Sequence, residues 1–293
     1  MANLSDNSIM INEVVFKAVL QRIEKETKAR ICQPQMIVGA PGSGKTFLLR
    51  RLFNAVSSLS GIEPVWIDGR TVFSNDSFVH HPSEKRCVLL VDDFHYYLKR
   101  TSNSEQFELR GILSKEDGPT LIATVPSMMP QLTNYEAAFF EGFRVYYLRP
   151  VSKEDLKSII NGTSSEIQRA EALMSYLPKT PLSVYTVCEI IRDSRSKEED
   201  LIVLTQRMSP IFQAMFDSLS PQQQRILCAL AGETGGIPLS GLRSKTGQKT
   251  GTISPYLTQM LERGLISKES KSTRSGLYRI SDPLFDLWLP NTL

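Results

Sequence analysis

An eight-residue segment, Gly39-Ala-Pro-Gly-Ser-Gly-Lys-Thr46, constrains the fold of this 293-residue chain more than any other feature. It fits the pattern G-x-x-x-x-G-K-[ST] at every fixed position, between an apolar run at residues 36–38 and a helix-like segment at 47–55. Glycines in such a loop let successive backbone N–H groups surround an anion at the start of a helix. The context therefore favours a phosphate-binding loop over a glycine-rich turn that fits the pattern by chance.

The fixed positions of this loop carry specific chemistry. Lys45 can reach the outer phosphates of a nucleotide, and the hydroxyl of Thr46 can bind Mg²⁺. The residues predicted to contact the nucleotide here are Gly39, Ala40, Pro41, Gly42, Ser43, Gly44, Lys45, Thr46 and Phe47. The sequence thus predicts a protein that binds a nucleoside triphosphate together with a magnesium ion.

An acidic pair supplies the second part of the predicted site. Residues 86–92 form a continuous apolar run that ends in acid, as expected of a central parallel strand buried on both faces. We predict that Asp92 holds the metal ion and that Asp93 orients the attacking water. Glu is commoner at the second position and one methylene longer, so we expect slow hydrolysis. The alternative for Asp93 is a helix N-cap without a catalytic role.

Strand-like and helix-like segments alternate through the first half of the chain. Apolar β-like runs occupy residues 35–38, 64–68, 86–92, 119–124 and 145–148, and helical spacing is present at 12–28 and 94–114. Because strands that alternate with helices build parallel sheets, this order predicts an α/β fold around a parallel sheet.

The sequence becomes helical after Pro150. A capping signature lies at 152–155, two further helices are expected at 165–177 and 181–193, and the charged run 194–200 is interpreted as a solvated turn. We predict three domains, which are a nucleotide-binding core (1–150), a small helical lid (151–208) and a carboxyl-terminal unit (209–293).

The carboxyl-terminal unit has the pattern of a winged helix-turn-helix. A first helix opens at residues 220–223, and a short second element follows at 239–242. A third helix runs from Thr250 to Gly264, and its expected core face consists of Ile253, Leu257, Met260 and Leu261. Two strands around a basic wing are expected between residues 266 and 280.

The same unit holds the excess positive charge of the chain. Residues 209–293 contain nine Lys or Arg and six Asp or Glu, which equals the whole net charge of +3. This excess favours an anionic partner, and basic wing tips usually touch phosphates rather than read bases. The residues predicted to contact duplex DNA are Lys249, Thr252, Tyr256, Gln259, Arg263, Lys268, Lys271 and Arg274.

Composition excludes several other classes of protein. Hydrophobic residues make up 41% of the chain and charged residues 22%, as in an ordinary globular protein. No stretch approaches the ~18 apolar residues that cross a bilayer, and the polar start lacks the layout of a signal peptide. The cysteines and histidines lack the spacing of a zinc site, and Cys87 and Cys228 are expected in the core. We therefore expect a soluble, cytoplasmic protein without a membrane partner.

Several motifs follow one another in the order of a known group. They are the phosphate loop, Leu89-Leu-Val-Asp-Asp93, Leu121-Ile-Ala-Thr124, Leu148-Arg-Pro-Val-Ser152 and the carboxyl-terminal winged-helix pattern. The chain resembles the STAND/AAA+ side of the P-loop ATPases, notably the prokaryotic "archaeal ATPase" group and its relatives at replication origins. The resemblance covers nearly the whole chain, and it implies that the nucleotide is ATP and that copies associate in the ATP state.

The resemblance also implies roles for further residues. Thr124 matches the polar sensor of the γ-phosphate, and the alternative is a plain strand-end Thr. Arg144 matches the position from which such ATPases project an arginine finger into a neighbour's site. The alternative is a plain surface Arg, and Arg149 and Arg110 are competing candidates for the finger. Pro181 resembles the proline that packs on adenine, although Lys-Thr-Pro replaces the usual Gly-x-Pro here and no Arg follows it.

Three functions follow from these patterns. The first is an ATP-dependent switch that recognises DNA or a DNA-bound partner in mobile-element, defence or replication biology. The second is a STAND-type signalling scaffold whose winged helix binds only protein. A small-molecule kinase is disfavoured because nothing indicates an acceptor pocket. The chain stops five residues after Trp288, so we expect the effector to be a separate polypeptide.

Overall fold

The computed structural model describes residues 11–29, 33–79, 85–116, 118–233, 235–269 and 276–291. The chain divides into two compact units. Unit 1 consists of Met1–Gly162 and Lys179–Thr186, and unit 2 of Thr163–Pro178 and Val187–Leu293.

Unit 1 is built on a five-stranded parallel sheet, which confirms the predicted α/β class. The strands are β1 (Gln35–Val38), β2 (Ile62–Asp68), β3 (Arg86–Asp92), β4 (Thr120–Val125) and β5 (Arg144–Tyr147). Their order is β2-β3-β4-β1-β5, so β2 and β5 lie at the two ends and β2 contains Pro64. Since all strands are parallel, the segments that follow β1, β3 and β4 emerge at the same edge of the sheet.

Helices cover both faces of this sheet. They are α1 (Glu13–Ala29), α2 (Lys45–Ser57), α3 (His95–Arg100), α4 (Asn103–Leu113), α5 (Pro130–Thr133) and α6 (Lys153–Ile160). Alternate residues of β3 belong to different cores. Leu89 and Val91 pack with Tyr97 of α3, whereas Val88 and Leu90 pack with Leu49 of α2. The buried strand predicted at 86–92 is therefore confirmed on both faces.

The single helical stretch expected at 94–114 is two helices. Thr101 is extended, with φ −94° and ψ 148°, which ends α3. Ser102 then caps α4, since its hydroxyl accepts from the N–H of Glu105 and the Glu105 carboxylate accepts from the Ser102 N–H. This capping box restarts the helix at Asn103.

Unit 2 is largely helical. It contains α7 (Ser164–Met174), the larger part of α8 (Pro181–Asp193), α9 (Lys197–Asp217), α10 (Pro221–Leu230), α11 (Leu239–Thr246), α12 (Thr250–Glu262) and α13 (Pro283–Trp288). Strands β6 (Ile237–Pro238), β7 (Ile266–Glu269) and β8 (Leu277–Ile280) form an antiparallel sheet in the order β6-β8-β7. From α10 to β8 the elements follow the order expected for a winged helix-turn-helix. Among the described helices, none combines the length and the apolar character needed to cross a membrane.

Two expectations for unit 2 need correction. Residues 194–200 are a solvated turn only in part, because Arg195 and residues 197–199 are exposed but α9 begins at Lys197 and Asp200 is only 1% exposed. The Asp200 carboxylate accepts from Arg169 Nε at 2.7 Å and from the Ser194 hydroxyl, so the run supplies a buried ion pair. Cys228 lies inside an apolar run but faces outward and is exposed, whereas Cys87 is buried as expected.

Helix α9 also bears on the predicted domain limits. It continues from Lys197 to Asp217 with Pro210 inside it, so the predicted boundary between residues 208 and 209 falls within one helix. Residues 179–186, which the predicted limits place in the lid, cluster with unit 1. The division into core, lid and carboxyl-terminal unit stays a prediction.

Candidate nucleotide-binding site

The glycine-rich segment forms the connection between β1 and α2. Gly42 and Gly44 adopt left-handed backbone conformations, with φ of 76° and 89°, which glycine tolerates without strain. A Cβ on Gly39 would lie 2.5 Å from the hydroxyl oxygen of Ser43. The loop conformation therefore depends on glycine at positions 42 and 44, and a side chain at position 39 would displace Ser43. The loop ends at the amino terminus of α2, where backbone N–H groups favour anions.

Lys45 lies within this loop. Its ammonium donates to the carbonyl oxygens of Gly39 at 2.7 Å and Ala40 at 3.1 Å, and the residue is 8% exposed. Burial lowers the pKa of the Lys45 ammonium, against the opposing effect of the charges of Asp93 and Asp92. The positive charge is thus held at the loop, within electrostatic reach of both acids.

A chain of hydrogen bonds connects the loop with the acidic strand. The Thr46 hydroxyl donates to Asp92 Oδ2 at 2.7 Å, and the Thr124 hydroxyl donates to Asp92 Oδ1 at 2.6 Å. The backbone N–H of Asp93 in turn donates to the Thr124 hydroxyl oxygen at 2.9 Å. The structure therefore brings together the two predicted metal ligands and two predicted catalytic residues.

Thr124 is fully buried, and its hydroxyl makes both of these bonds. Its contact is therefore with the acidic pair, and the prediction that it senses a γ-phosphate stays a prediction.

The backbone at Asp93 adopts a conformation that is uncommon for a residue with a side chain, with φ of 54°. Gly69, which follows β2, packs directly against it. A Cβ on Gly69 would lie 2.5 Å from the carbonyl oxygen of Asp93 and 2.8 Å from that of Asp92. Asp68 pairs with Asp92 in the sheet register, which places Gly69 beside Asp93. Sequence reasoning missed this contact, because it requires knowing that β2 and β3 are neighbours.

Arg144, the predicted arginine finger, lies at the amino end of β5. It pairs with Gln35 at the start of β1, whereas the phosphate loop follows Val38 at the other end of that strand. Its side chain is exposed, and its Nε lies 3.4 Å from the amide oxygen of Gln33. The structure thus places Arg144 at the sheet edge opposite its own phosphate loop, and its role toward a neighbouring copy stays a prediction.

The two competing arginines are more strongly engaged. Arg149 forms a two-pronged pair with the Asp155 carboxylate, with Nη2 at 2.9 Å from Oδ1. Arg110 donates to the carbonyl oxygen of Ala138 at 2.8 Å. Among the three candidates, Arg144 is the one held by the longest contact.

Pro181, at the start of α8, lies against the loop. A Cβ on Gly44 would be 4.0 Å from Pro181 Cγ, and the N–H of Leu182 donates to the carbonyl oxygen of Gly42 at 3.3 Å. A small cleft of about 90 Å³ adjoins this contact, and its lining residues are Asn12, Ser43, Gly44, Phe47, Leu48, Arg51 and Pro181. The predicted contacts Phe47 and Pro181 therefore share one cleft, together with Asn12 and Arg51, which the sequence did not indicate.

The predicted DNA-contacting residues lie in unit 2, mostly on α12. Ile253, Leu257 and Met260 are buried as expected, while Leu261 is only partly buried. On the flank beside this core face, Tyr256 is partly buried, and the exposed residues are Lys249, Thr252, Gln259 and Arg263. We call these five the outer face of α12.

Two of the residues predicted to contact DNA have partners inside unit 2. The Gln259 amide oxygen lies 3.5 Å from the amide nitrogen of Gln223, and the Lys268 ammonium lies 5.4 Å from the centre of the Tyr278 ring. Lys271 and Arg274 lie outside the described residues.

The parallel sheet, with the phosphate loop after β1 and the acidic pair after β3, defines an AAA+ P-loop fold. The chain is similar to a solved structure of the ORC1 protein of Aeropyrum pernix in complex with DNA. The similarity covers 96% of this chain and 92% of the ORC1 chain, with a TM-score of 0.56 and 11% identity. It is also similar to a solved structure of Drosophila ORC bound to DNA. Here the similarity covers 96% of this chain and 86% of the ORC chain, with a TM-score of 0.52 and 14% identity.

One curated relative is similar in sequence. It is an HTH-type transcriptional regulator of Methanocaldococcus jannaschii, which is 21% identical over 226 residues, or 70% of this chain. The chain spans about half of that relative's length, since 55% of it is covered. No family model matches the chain.

Proposed function

We propose that this protein is an ATP-dependent molecular switch. It binds ATP with Mg²⁺, hydrolyses it slowly in the cytoplasm, and recognises DNA or a DNA-bound partner to control a separate effector. The observation that carries the proposal is the bonded chain from Thr46 through Asp92 to Thr124, beside a loop that contains Lys45. This arrangement supports the proposal, because a nucleotide site needs a cation, oxygen ligands for a metal ion and an acidic group beside a helix terminus that favours anions.

The residues at this site fit a magnesium ion. Thr46 and Asp92 present a hydroxyl and a carboxylate 2.7 Å apart, and Mg²⁺ takes oxygen ligands and commonly uses few from the protein. Bound Mg²⁺ supplies charge neutralisation on the phosphate oxygens. Thr124 keeps the Asp92 carboxylate in place, Lys45 neutralises phosphate charge, and Asp93 orients water. Because Asp93 is shorter than Glu, it reaches less far and hydrolysis is slow.

Hydrolysis would be completed by a second copy of the chain. Arg144 is exposed at the sheet edge away from its own phosphate loop, which suits a residue that acts on a neighbour. A guanidinium from another subunit stabilises charge that develops in the transition state. We therefore propose self-association in the ATP state.

DNA recognition is proposed for the outer face of α12 and the strands that follow it. The similar ORC1 and ORC structures are complexes with DNA, and the curated relative is described as an HTH-type regulator. In this chain, Lys249, Arg263 and Lys268 are exposed cations on that part of unit 2. Contacts of this kind bind phosphates and weaken with salt.

The test measures ATP turnover and sedimentation with and without duplex DNA. Wild type should hydrolyse ATP slowly, and Lys45→Ala should lose turnover and nucleotide-dependent association. Lys157→Ala, which removes an exposed lysine of α6, is the matched control and should behave as wild type. Absence of DNA binding at low salt would contradict the DNA part of the proposal, and transfer of phosphate to a metabolite would contradict the switch as a whole.

A second candidate is a signalling scaffold whose winged helix binds only protein. It is favoured by an apolar groove of about 580 Å³ in unit 2, lined by Leu201, Ile202, Thr205, Gln206, Ser209, Leu287 and Trp288. Ile202 and Leu287 are 57% and 43% exposed, and clustered exposed apolar groups mark interaction sites. ATP turnover that persists without any DNA binding at low salt would favour this scaffold over the switch.

A further inference from the structure

His95 lies beside the acidic pair, and neither the phosphate-loop pattern nor the acidic strand assigns it a role. It is the first residue of α3, two positions after Asp93. Its side chain is 12% exposed, and its Nδ1 lies 3.9 Å from Asp93 Oδ1. Within the described part of the chain this buried Nδ1 has no hydrogen-bond partner. Because buried polar groups are nearly always paired, an unpaired nitrogen next to a candidate catalytic carboxylate points to a function.

The surroundings of His95 favour a neutral ring that donates one hydrogen bond. Burial lowers the pKa of the imidazole from its usual 6.5. Asp93 and Asp92 oppose this shift, whereas the positive charges of Lys99 and Lys45 add to it. The ring also packs on Tyr96, with 4.3 Å between ring centres, which limits its orientations. A neutral imidazole has one N–H, and a proton on Nδ1 would face Asp93.

The contacts already described at Asp93 hold its main chain. The N–H is bound to Thr124, and Gly69 packs on the carbonyl oxygen. These contacts fix where the side chain begins but leave the direction of the carboxylate to a side-chain partner. A residue one methylene shorter than Glu depends more on such a partner, since small errors in direction move its oxygens away from the water.

We propose that His95 is a positioning residue for Asp93. Its Nδ1–H donates to Asp93 Oδ1 after a shift of about 1 Å, which brings the pair to ordinary hydrogen-bond length. One carboxylate oxygen is then fixed, and the other is left to accept the proton of the attacking water. This role rests on the proposed ATP hydrolysis, and it acts on turnover rather than on nucleotide binding.

Two substitutions separate positioning from packing. His95→Phe keeps a ring but removes the donor, and His95→Asn places an amide N–H near the position of Nδ1. We expect kcat of His95→Phe to fall about 10- to 100-fold, the range for loss of a residue that orients a functional group, with KM for ATP unchanged. His95→Asn should recover most of kcat. In an Asp93→Asn background, His95→Phe should have no further effect, because the two residues act as one.

Each result decides the role of His95. If the His95→Phe variant hydrolyses ATP at the wild-type rate, the positioning role is overturned and the proposed ATPase activity is unaffected. A KM change in both variants, or equal losses of kcat in both, also overturns it, since a packing role explains either. If the wild-type protein binds a fluorescent ATP analogue but does not hydrolyse ATP, the proposed hydrolysis and the role of His95 are both overturned.

Discussion

The phosphate-loop site and the outer face of α12 hold their polar side chains in different ways. At the phosphate-loop site, Lys45 and Thr124 are buried, and each makes two hydrogen bonds to groups of the same site. On the outer face of α12, Thr252 and Arg263 are exposed, and Gln259 makes one long contact. A change at the first site therefore disturbs several partners, whereas a change at the second removes one side chain and little else.

The largest effect is expected from Asp92→Asn. An amide nitrogen cannot accept a hydroxyl hydrogen, so the bond to Thr46 or Thr124 is lost or must reverse its direction, and the charge proposed to hold the metal ion is removed. We expect kcat to fall about 100- to 1000-fold, the range for loss of a preorganised electrostatic group. Steady-state ATP turnover measures this change.

The control for this variant is Asp217→Asn, which removes an exposed carboxylate from α9. It should keep wild-type turnover. Comparable activity of Asp92→Asn and Asp217→Asn would mean that the bonded chain has no catalytic importance, and the contrast between the two regions would lose its basis.

A pair of glycine substitutions compares the two regions through stability. A Cβ on Gly69 would lie 2.5 Å from a backbone oxygen, so Gly69→Ala should cost about 1–3 kcal/mol of unfolding free energy through overpacking. Gly251 lies in α12, and a Cβ there would meet nothing within 4 Å. Gly251→Ala should therefore stabilise by about 0.5–1 kcal/mol, because alanine favours the helix.

Urea unfolding of the two glycine variants and wild type gives these values. Gly69→Ala should also lower ATP turnover, because Asp93 must move, and Gly251→Ala should not. A Gly69→Ala protein as stable and active as wild type would show that the acidic pair tolerates displacement.

A smaller effect is expected on DNA binding. Arg263→Ala should weaken affinity for duplex DNA a few-fold and reduce the slope of log affinity against log salt by about 1, because one phosphate contact is lost. Arg225→Ala removes an exposed arginine of α10 outside the predicted face and is the matched control. Titrations at several salt concentrations distinguish them, and equal slopes for the two variants would exclude the outer face of α12 as the phosphate-binding surface.

The smallest effect concerns the partly exposed ion pair of Arg149 and Asp155 in unit 1. Hydrogen bonds from Arg149 lower the pKa of Asp155 to about 2 from 3.8. The pair therefore stabilises the fold fully above pH 3.8, and this contribution is lost as the pH falls through about 2. Since the Arg149 side chain is 50% exposed, we expect less than about 1 kcal/mol.

Urea midpoints of wild type and Arg149→Met, measured from pH 6 down to pH 2, check the sign. The difference between the two proteins should be largest at pH 6 and shrink toward pH 2. A difference that does not change with pH would assign the effect to packing of the arginine stem. A small difference in unfolding free energy would also show that a polar contact in unit 1 contributes strongly only when it is buried.

The sequence predicts those parts of the molecule whose pattern is local in the chain. The phosphate loop and strands β1 and β3 were predicted correctly, because their patterns are local and are set by backbone chemistry and burial on both faces. The core face of α12 was also predicted, since helical spacing alone places Ile253, Leu257 and Met260 together.

What the sequence could not predict depends on partners distant in the chain. Asp200 is buried with Arg169 and the Ser194 hydroxyl as partners, and a charged run gives no sign of the distant arginine. The contact of Gly69 with Asp93 follows from the strand order, and the position of His95 follows from the turn at Asp93. The expectation for Cys228 is wrong because an apolar run does not show which of its residues face the core, and one face of α10 is exposed.

The ends of the parallel sheet set a limit on how copies of this chain can associate. Pro64 in β2 has no N–H to donate to an added strand, and β5 at the other end is only four residues long. Both ends are therefore poor templates for joining the sheets of two molecules into one. Copies of this protein should then associate through side-chain surfaces, and the strands at the ends of the sheet disfavour edge-to-edge aggregation.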